Sequence, residues 1–410
     1  IDSYKQAIKI KPDYAEAYLS MGAALGAKGD FSAAIDSYKI ALEIKPDFVE
    51  VWYNLAYPLQ ATKLDNLSVN SQFNLRLKGT TSPHAEIAKS ILQYRLNRGS
   101  SSAESSLHEA ISFLSTADSI SIENPEMTSD KLIAKPVLLK KITALVHFGR
   151  SGTGLLHSLI DQHPAVSTLP SYYFSEFFEN SNWQQLIAGG WNKIVDQFIF
   201  TYEVFFDASC PNPVASMSSK FIGSLGSKEG MTNAGAKRNE VLRVDKKVFH
   251  RELSRLLHFH DRLDAFVFFS LVHSAYNNAI KDISEKSLIF YHIHNPDTLA
   301  QLNFLRLAPD ANWIMMVREP LQSCESWIWR NFQENNYEPI SNKIFAMLFE
   351  IDNVIFRKRN SLGVRLEDLK EYPKKTIPAL CTWLEIEEED SLYEMTAQGK
   401  KWWGDPASPD

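Results

Sequence analysis

Residues 141–164, KITALVHFGRSGTGLLHSLIDQHP, constrain the fold of this chain more than any other stretch. Apolar and β-branched residues fill 142–148, as expected for a buried strand of a parallel sheet. A loop with three glycines follows at 149–154, and apolar residues then recur at helical spacing. This stretch therefore predicts a strand, a tight loop and a helix in direct succession, the unit from which α/β domains are built.

The loop of this stretch is suited to bind an anion. Glycines let the backbone approach a ligand closely, and the amides that open the following helix point towards it. Arg150 adds a cation, and Ser151 and Thr153 add hydroxyl donors. The glycine spacing matches a nucleotide-kinase phosphate loop, but Leu155 and Leu156 replace the lysine and the hydroxyl residue that ATP chemistry requires. We therefore expect an anionic ligand that is bound without a metal ion.

Two more short apolar segments predict further strands of the same sheet. The first, SLIFYHIHNP, covers 287–296, and the second, NWIMMV, covers 312–317. Arg318 follows the second strand, and Pro320 suits the first turn of a helix that carries Ser326. A cation followed by a hydroxyl on this helix predicts a second phosphate contact.

Residues 1–60 contain an internal repeat. IDSYK at 1–5 returns at 35–39, and IKPD at 10–13 returns at 44–47, with an offset of 34 residues in both cases. This period and its helix pair resemble the tetratricopeptide repeat. Because such arrays need several repeats to bury their faces, we expect further repeats upstream of this chain. The repeats predict either a surface that docks a protein or an acceptor, or a structural cap on the next domain.

The remaining segments predict scaffold only. Residues 61–134 are expected to form a helical linker without chemistry of its own. The expected elements are helices at 84–97 and 103–117, a strand at 241–249, and helices at 250–260 and 262–280.

Composition narrows the class of protein. At 410 residues with 44% hydrophobic residues, the chain is long enough for two or three domains with a large core. A net charge of −6 argues against nucleic-acid binding through a broad basic surface. No apolar run approaches the roughly 18 residues that span a bilayer, so no membrane segment is expected. Three cysteines, Cys210, Cys324 and Cys381, lack metal or redox spacing, which favours a reducing compartment, the cytoplasm.

The glycine loop resembles the sulfotransferase family, whose loop has the pattern P-R-S-G-T-T-L-L followed by H-P. Here residues 149–156 are G-R-S-G-T-G-L-L, and His163-Pro164 follows. Glycine replaces the family's proline and its second threonine. Arg318 and Ser326 fit the family pattern R-x-P-x-x-x-x-x-S for a 3′-phosphate site. The resemblance implies an α/β domain at 135–410 with a mostly parallel, P-loop-like sheet, preceded by the all-α tetratricopeptide segment.

The resemblance also implies a donor, 3′-phosphoadenosine 5′-phosphosulfate (PAPS), used without a metal. Its phosphosulfate would be held by loop residues, and its 3′-phosphate by Arg318 and Ser326. The loop residues in this role are Arg150, Ser151, Gly152, Thr153 and Gly154. The acceptor stays open between a protein tyrosine, a glycan and a small molecule, docked in part by the repeats.

The candidate catalytic residues differ in type from those of the family. His294 stands where many sulfotransferases carry a lysine, and we expect it to hydrogen-bond the leaving oxygen. The glutamate base of one branch of the family is absent, and Glu176 lies a few residues beyond its position. A core histidine and an exposed carboxylate are the simpler alternatives for these two residues. Paired His292 and His294 suggest zinc only weakly, because no third ligand lies at ligand spacing. The whole domain could instead be an inactive nucleotide-binding scaffold whose repeats mediate protein interactions, and a phosphotransferase is the third possibility.

Overall fold

The structure, a computed structural model, describes residues 1–62, 82–97, 101–117, 120–125, 138–139, 141–147, 151–170, 174, 177–210, 230–293, 298–333 and 360–404. The chain divides into two compact units. One comprises Ile1–Ser119 with Leu321–Lys358, and the other comprises Ile120–Pro320 with Arg359–Asp410. The domain borders expected at residues 60 and 134 stay predictions. No helix in the described ranges is both long and apolar enough to cross a membrane.

The amino-terminal part of the first unit is entirely helical. Its helices are α1 (Asp2–Ile10), α2 (Ala15–Ala27), α3 (Phe31–Ile44), α4 (Val49–Ala61), α5 (Pro83–Leu96) and α6 (Ser101–Ala117). The turn between α2 and α3 uses Gly29 at φ +82° and Asp30, whose carboxylate accepts a hydrogen bond from the Ala33 amide. Gly29 thus lies in the turn after α2 and Asp30 caps the start of α3, where the 34-residue period predicts a break between two helices.

One hydrophobic core runs through helices α2 to α5. Tyr38 of α3 and Trp52 of α4 are fully enclosed in it. Ala88 and Leu92 of α5 belong to the same core. The first helix of the segment expected to be a linker therefore extends the core of the repeats.

The second unit is an α/β domain. Its elements are β1 (Ile122–Glu123), β2 (Ile142–His147), α7 (Thr153–Ile160), β3 (Val166–Thr168), α8 (Asn180–Ile187), α9 (Ile194–Thr201), α10 (Lys246–Leu257), β4 (Arg262–Leu263), α11 (Ala265–Ala279), β5 (Leu288–His292), α12 (Thr298–Leu307), β6 (Asn312–Val317), β7 (Ser361–Arg365), α14 (Leu366–Glu371), α15 (Pro373–Leu384), β8 (Thr396–Ala397) and β9 (Lys400–Lys401). Helix α13 (Pro320–Gln333) follows β6 in the chain, and from Leu321 onward it belongs to the first unit.

The main sheet has five strands in the order β3-β5-β2-β6-β7, and every neighbouring pair is parallel. Leu145 on the central strand β2 pairs with His292 on one side and Ile314 on the other. Leu156 of α7 and Leu380 of α15 pack into the core that covers the sheet. Because all five strands are parallel, their carboxyl ends lie at one edge, where α/β proteins bind ligands. The predicted fold class is confirmed.

The strand expected at 241–249 is wrong. Helix α10 begins at Lys246, inside that segment, because Asp245 caps it by accepting hydrogen bonds from the amides of Lys247 and Val248. An N-cap aspartate satisfies amides that a helix leaves free, and this outweighs the β propensity of the valines.

Candidate active site

The predicted anion loop and the predicted second phosphate contact leave the sheet from neighbouring strands. His147, the last residue of β2, pairs with Met316 of β6. Ser151 follows β2 and Arg318 follows β6. The parallel register therefore brings these two segments to adjacent positions at the carboxyl edge.

The loop after β2 requires glycine at position 152. Gly152 is the N-cap of α7 and has φ 80° and ψ 29°, in the left-handed region. A Cβ at this position would lie 2.5 Å from Leu366 Cδ1 at the start of α14. The backbone angle disfavours any side chain, and a Cβ would in addition displace the Leu366 side chain.

The amino end of α7 has donors that the described chain does not use. The N-cap has no side-chain hydrogen bond, so the first amides of the helix are left to a ligand or to water. Ser151 is only 1% exposed, and its Oγ has no hydrogen-bond partner among the described residues. Thr153 is also buried. A buried hydroxyl beside free helix amides fits a phosphate or sulfate group.

The segment that follows β6 is hydrogen-bonded to a carboxylate from α14. The amide of Glu319, next to Arg318, donates to Glu367 Oε1 at 2.9 Å. Burial raises the pKa of Glu367, but hydrogen bonds from Glu319 and its own backbone, with the charges of Arg365 and Arg318, lower it overall. Glu367 is therefore an ionised group close to Arg318.

Two adjacent residues of α14 thus support both the loop after β2 and the segment after β6. Leu366 packs against Gly152, and Glu367 holds the backbone after Arg318. Sequence reasoning did not assign these roles, since the only available signal was a leucine and a glutamate directly after an apolar strand.

A second feature of this edge is a group of buried histidines. His292 ends β5 and is fully buried, and its ring centroid lies 5.7 Å from that of His157 on α7. His273 of α11 is 1% exposed, and its Nδ1 lies 2.9 Å from Ser167 Oγ. Burial, followed by the proximity of His157, lowers the pKa of His273 to about 3, so this ring is neutral.

The residues expected to form the site are placed as follows. Ser151, Gly152, Thr153 and Gly154 form the described part of the loop and the first turn of α7, and Arg318 follows β6. Ser326 lies on α13 and is half-buried. The remaining three, Arg150, Glu176 and His294, lie outside the described residues. Among the residues that the structure does describe, no cluster of three or more His, Cys, Asp or Glu could hold a metal.

Family models match two parts of this chain. Residues 145–390 match the model of the sulfotransferase family, and residues 1–29 and 27–62 match a TPR repeat model. No curated protein matches the chain.

Three solved structures are similar to parts of the chain. The sulfotransferase domain from the curacin biosynthetic pathway is 16% identical, covers 63% of this chain and 78% of its own, and has a TM-score of 0.33. The sulfotransferase domain from the Synechococcus PCC 7002 olefin synthase is 15% identical, with coverages of 66% and 82% and a TM-score of 0.34. Sulfotransferase STF9 from Mycobacterium avium is 11% identical, with coverages of 83% and 80% and a TM-score of 0.32.

The family model spans more than half of the 410 residues and covers both the glycine loop and the exit of β6. The amino-terminal matches fall on α1 to α4. This chain therefore belongs to the sulfotransferase family, as a sulfotransferase that carries amino-terminal tetratricopeptide repeats.

Proposed function

We propose that this protein transfers a sulfuryl group from PAPS to a hydroxyl or amine of an acceptor. The observation that carries the proposal is the buried Ser151 Oγ, which has no partner in the described chain and lies beside the uncapped amino end of α7. Donors left in this way suit the oxygens of a phosphosulfate. The nearby Arg318 supplies a cation for a second phosphate.

The donor, when bound, supplies the sulfuryl group: the bond from sulfur to the bridging phosphate oxygen breaks, a bond from sulfur to the acceptor forms, and adenosine 3′,5′-bisphosphate leaves. The residues of this chain position the donor and neutralise its negative charge. The hydroxyls of Ser151 and Thr153 and the first amides of α7 donate to phosphosulfate oxygens, while Gly152 and Gly154 keep the backbone close.

Further residues complete the proposal through their family positions. Arg318 and Ser326 hold the 3′-phosphate by charge and hydroxyl. Arg150 and His294 donate to the leaving oxygen, and Glu176 is the first candidate for the group that takes the acceptor proton.

Nucleotide choice tests the donor site. Calorimetry should show that adenosine 3′,5′-bisphosphate binds more tightly than ATP, and that magnesium is not needed. Replacing Arg318 by alanine removes a charge-assisted contact of about 1.5 to 3 kcal/mol, so affinity should fall roughly tenfold or more. Arg243→Ala is the matched control, because this exposed arginine pairs with Asp207 at 3.0 Å instead. Magnesium-dependent ATP binding that ignores Arg318→Ala would contradict the assignment.

Turnover tests the reaction. Release of the bisphosphate from PAPS should accelerate with at least one member of a panel of phenols, sugars, alcohols and amines. Tight bisphosphate binding without release by any member or by water would favour an inactive nucleotide-binding scaffold.

The repeats are proposed to dock a protein acceptor. Deleting residues 1–60 should then raise the Michaelis constant for that acceptor and leave the donor affinity unchanged. A loss of thermal stability is expected in either case, because α5 shares the core of the repeats. If the repeats only cap the fold, the deletion should weaken the binding of both substrates alike.

A further inference from the structure

Helix α7 carries one more polar side chain at the carboxyl edge of the sheet. His157 lies one turn after the anion loop and is 8% exposed. Its ring hydrogen-bonds the backbone of Leu169, in the segment that follows β3, and this bond favours the protonated ring. Its Nε2 has no partner among the described residues.

These contacts fix the tautomer of the neutral ring. The bond to Leu169 favours the protonated ring, which means that the ring donates to the Leu169 carbonyl. Because Nε2 has no partner among the described residues, we assign the donor role to Nδ1. Nε2 therefore holds the lone pair, as a general base requires.

His157 lies close to the anion loop. It lines a cavity of about 20 Å³ together with Gly154, Pro170, Gln398 and Trp402. A volume of about 10 to 15 Å³ is enough for one water molecule, so this cavity admits a single small polar group. Since Gly154 belongs to the anion loop, such a group would be close to a bound phosphosulfate.

The groups that face His157 keep its ring neutral. Asp161 lies one turn further along α7, and His273 of α11 and His292 of β5 approach from the other elements. Burial lowers the pKa of His157 below its usual value, and the Asp161 charge and the Leu169 bond oppose this only in part. The same two partners would stabilise the imidazolium once it has gained a proton.

We propose that His157, rather than Glu176, takes the proton of the acceptor, a step that rests on the proposed sulfuryl transfer. The acceptor places one hydroxyl or amino group in the small cavity. Its oxygen or nitrogen forms the new bond to sulfur while its proton moves to Nε2, and the electron pair of the breaking bond leaves with the bisphosphate. The imidazolium later returns this proton to solvent.

His157→Asn is the decisive variant. Asparagine keeps an N–H where Nδ1 donates to Leu169 and removes the basic Nε2. Turnover should fall about 10²- to 10⁴-fold, and affinity for adenosine 3′,5′-bisphosphate should change less than about twofold. The loss should be smaller for p-nitrophenol, which is already ionised at alkaline pH, than for an alkyl alcohol or for water, the acceptor present in every assay.

A structural role predicts the opposite pattern. If His157 only anchors Leu169, His157→Asn keeps its turnover with every acceptor, and this result overturns the proposal. His163→Asn is the matched control, because His163 is also buried but both of its nitrogens have partners, Glu387 O at 2.9 Å and the Ala165 amide at 3.1 Å. This control should lose stability and keep the pH profile of turnover.

Two measurements on the unmodified protein decide the matter if the variant fails to fold. Nitrogen-15 spectra of the histidine rings should contain one ring with the proton on Nδ1 that titrates below pH 6.5, the usual pKa of the group. Turnover should rise with pH through that lowered pKa and then level off, since only the neutral ring accepts a proton. A turnover profile that does not follow the titration of this ring in the same spectra overturns the proposal. Failure of the unmodified protein to bind the bisphosphate would instead refute the donor assignment.

Discussion

The two ends of helix α7 differ in how far their polar groups are hydrogen-bonded. At the carboxyl end, Asp161 accepts three hydrogen bonds, from Thr168 Oγ1 at 3.0 Å, Thr396 Oγ1 at 3.1 Å and the Gly399 amide at 3.0 Å. At the amino end, Gly152 provides no side-chain cap, and Ser151 Oγ has no partner in the described chain. Buried polar groups are normally satisfied, so the exception marks the end that is reserved for a ligand.

The same contrast separates two buried histidines. His163 makes hydrogen bonds with both ring nitrogens and joins the end of the α7 segment to Glu387. His157 uses one nitrogen to hold Leu169 and keeps the other without a described partner. A residue with all of its polar atoms satisfied stabilises the fold, whereas a buried atom left over is available for chemistry.

The largest effect is expected for Gly152→Ala, which alters the amino end of α7. A left-handed backbone costs an L-residue about 1 to 2 kcal/mol, and displacing Leu366 adds roughly 1 kcal/mol more. The loop should respond by moving away from its present position. We therefore expect thermal unfolding to report a loss of about 2 to 3 kcal/mol, and calorimetry to show bisphosphate binding at least tenfold weaker.

The double variant Gly152→Ala with Leu366→Ala separates the two causes. It removes the leucine that a new Cβ would meet at 2.5 Å but keeps the unfavourable φ of 80°. The double variant should therefore bind the bisphosphate more tightly than Gly152→Ala alone. A Gly152→Ala protein with unchanged stability and affinity would show that the loop does not need this conformation.

The next effect concerns the carboxyl end. Asp161→Ala removes the acceptor of the Thr168 hydroxyl and the Gly399 amide, while Thr396 Oγ1 can still donate to the Ser158 carbonyl at 3.3 Å. Leaving such donors unpaired costs about 1 to 3 kcal/mol. Since Thr396 and Gly399 lie in the segment around β8, this segment should also become easier to unfold locally. Differential scanning calorimetry and hydrogen exchange measure the two consequences.

The comparison requires that this loss leaves the donor site intact. Bisphosphate affinity of Asp161→Ala should stay within about twofold, once measured below its unfolding transition. Asp161→Asn, which retains one acceptor oxygen, should recover part of the stability. A strong loss of bisphosphate affinity in either variant would show that the two ends are not independent.

Local patterns in the sequence were sufficient to predict strands β2, β5 and β6 and the helix that follows β2. A run of apolar residues that stops at a glycine loop predicted β2, and the 34-residue period predicted α2 and α3, because neighbours along the chain determine both. The strand expected at 241–249 is wrong because one cap, Asp245, decides between helix and strand there. Short β-branched segments carry too little periodicity to outweigh such a contact.

The parts of the site that the sequence did not reveal depend on distant contacts. Asp161 meets Thr396 and Gly399 across 235 and 238 positions of the chain, respectively. Leu366 reaches Gly152, and His157 reaches the cavity, only after the sheet has formed. No spacing rule predicts such pairs, whereas Ser151 could be proposed because it lies within the glycine loop itself. The roles of Arg150 and His294 stay predictions, and the base role expected for Glu176 is the alternative to the one proposed for His157.

The smallest and most specific effect is expected for Ser151→Ala, compared with Ser158→Ala. Both serines are buried on the same short segment, but Ser158 donates to the Leu155 carbonyl at 2.8 Å, while Ser151 Oγ has no described partner. A lost hydrogen bond costs about 0.5 to 1.5 kcal/mol, so Ser158→Ala should lower stability by this amount and keep bisphosphate affinity. Ser151→Ala should do the reverse.

For Ser151→Ala we expect unchanged or slightly raised stability in the free protein, because removing an unsatisfied buried hydroxyl relieves a desolvation cost. Affinity for PAPS should fall roughly 2- to 12-fold, the equivalent of about 0.5 to 1.5 kcal/mol, since the hydroxyl gains its partner only when the donor binds. Bisphosphate affinity should fall less if the hydroxyl contacts the sulfuryl group rather than the 5′-phosphate. Equal changes in stability and affinity for both serines would mean that the amino end of α7 is not reserved for a ligand.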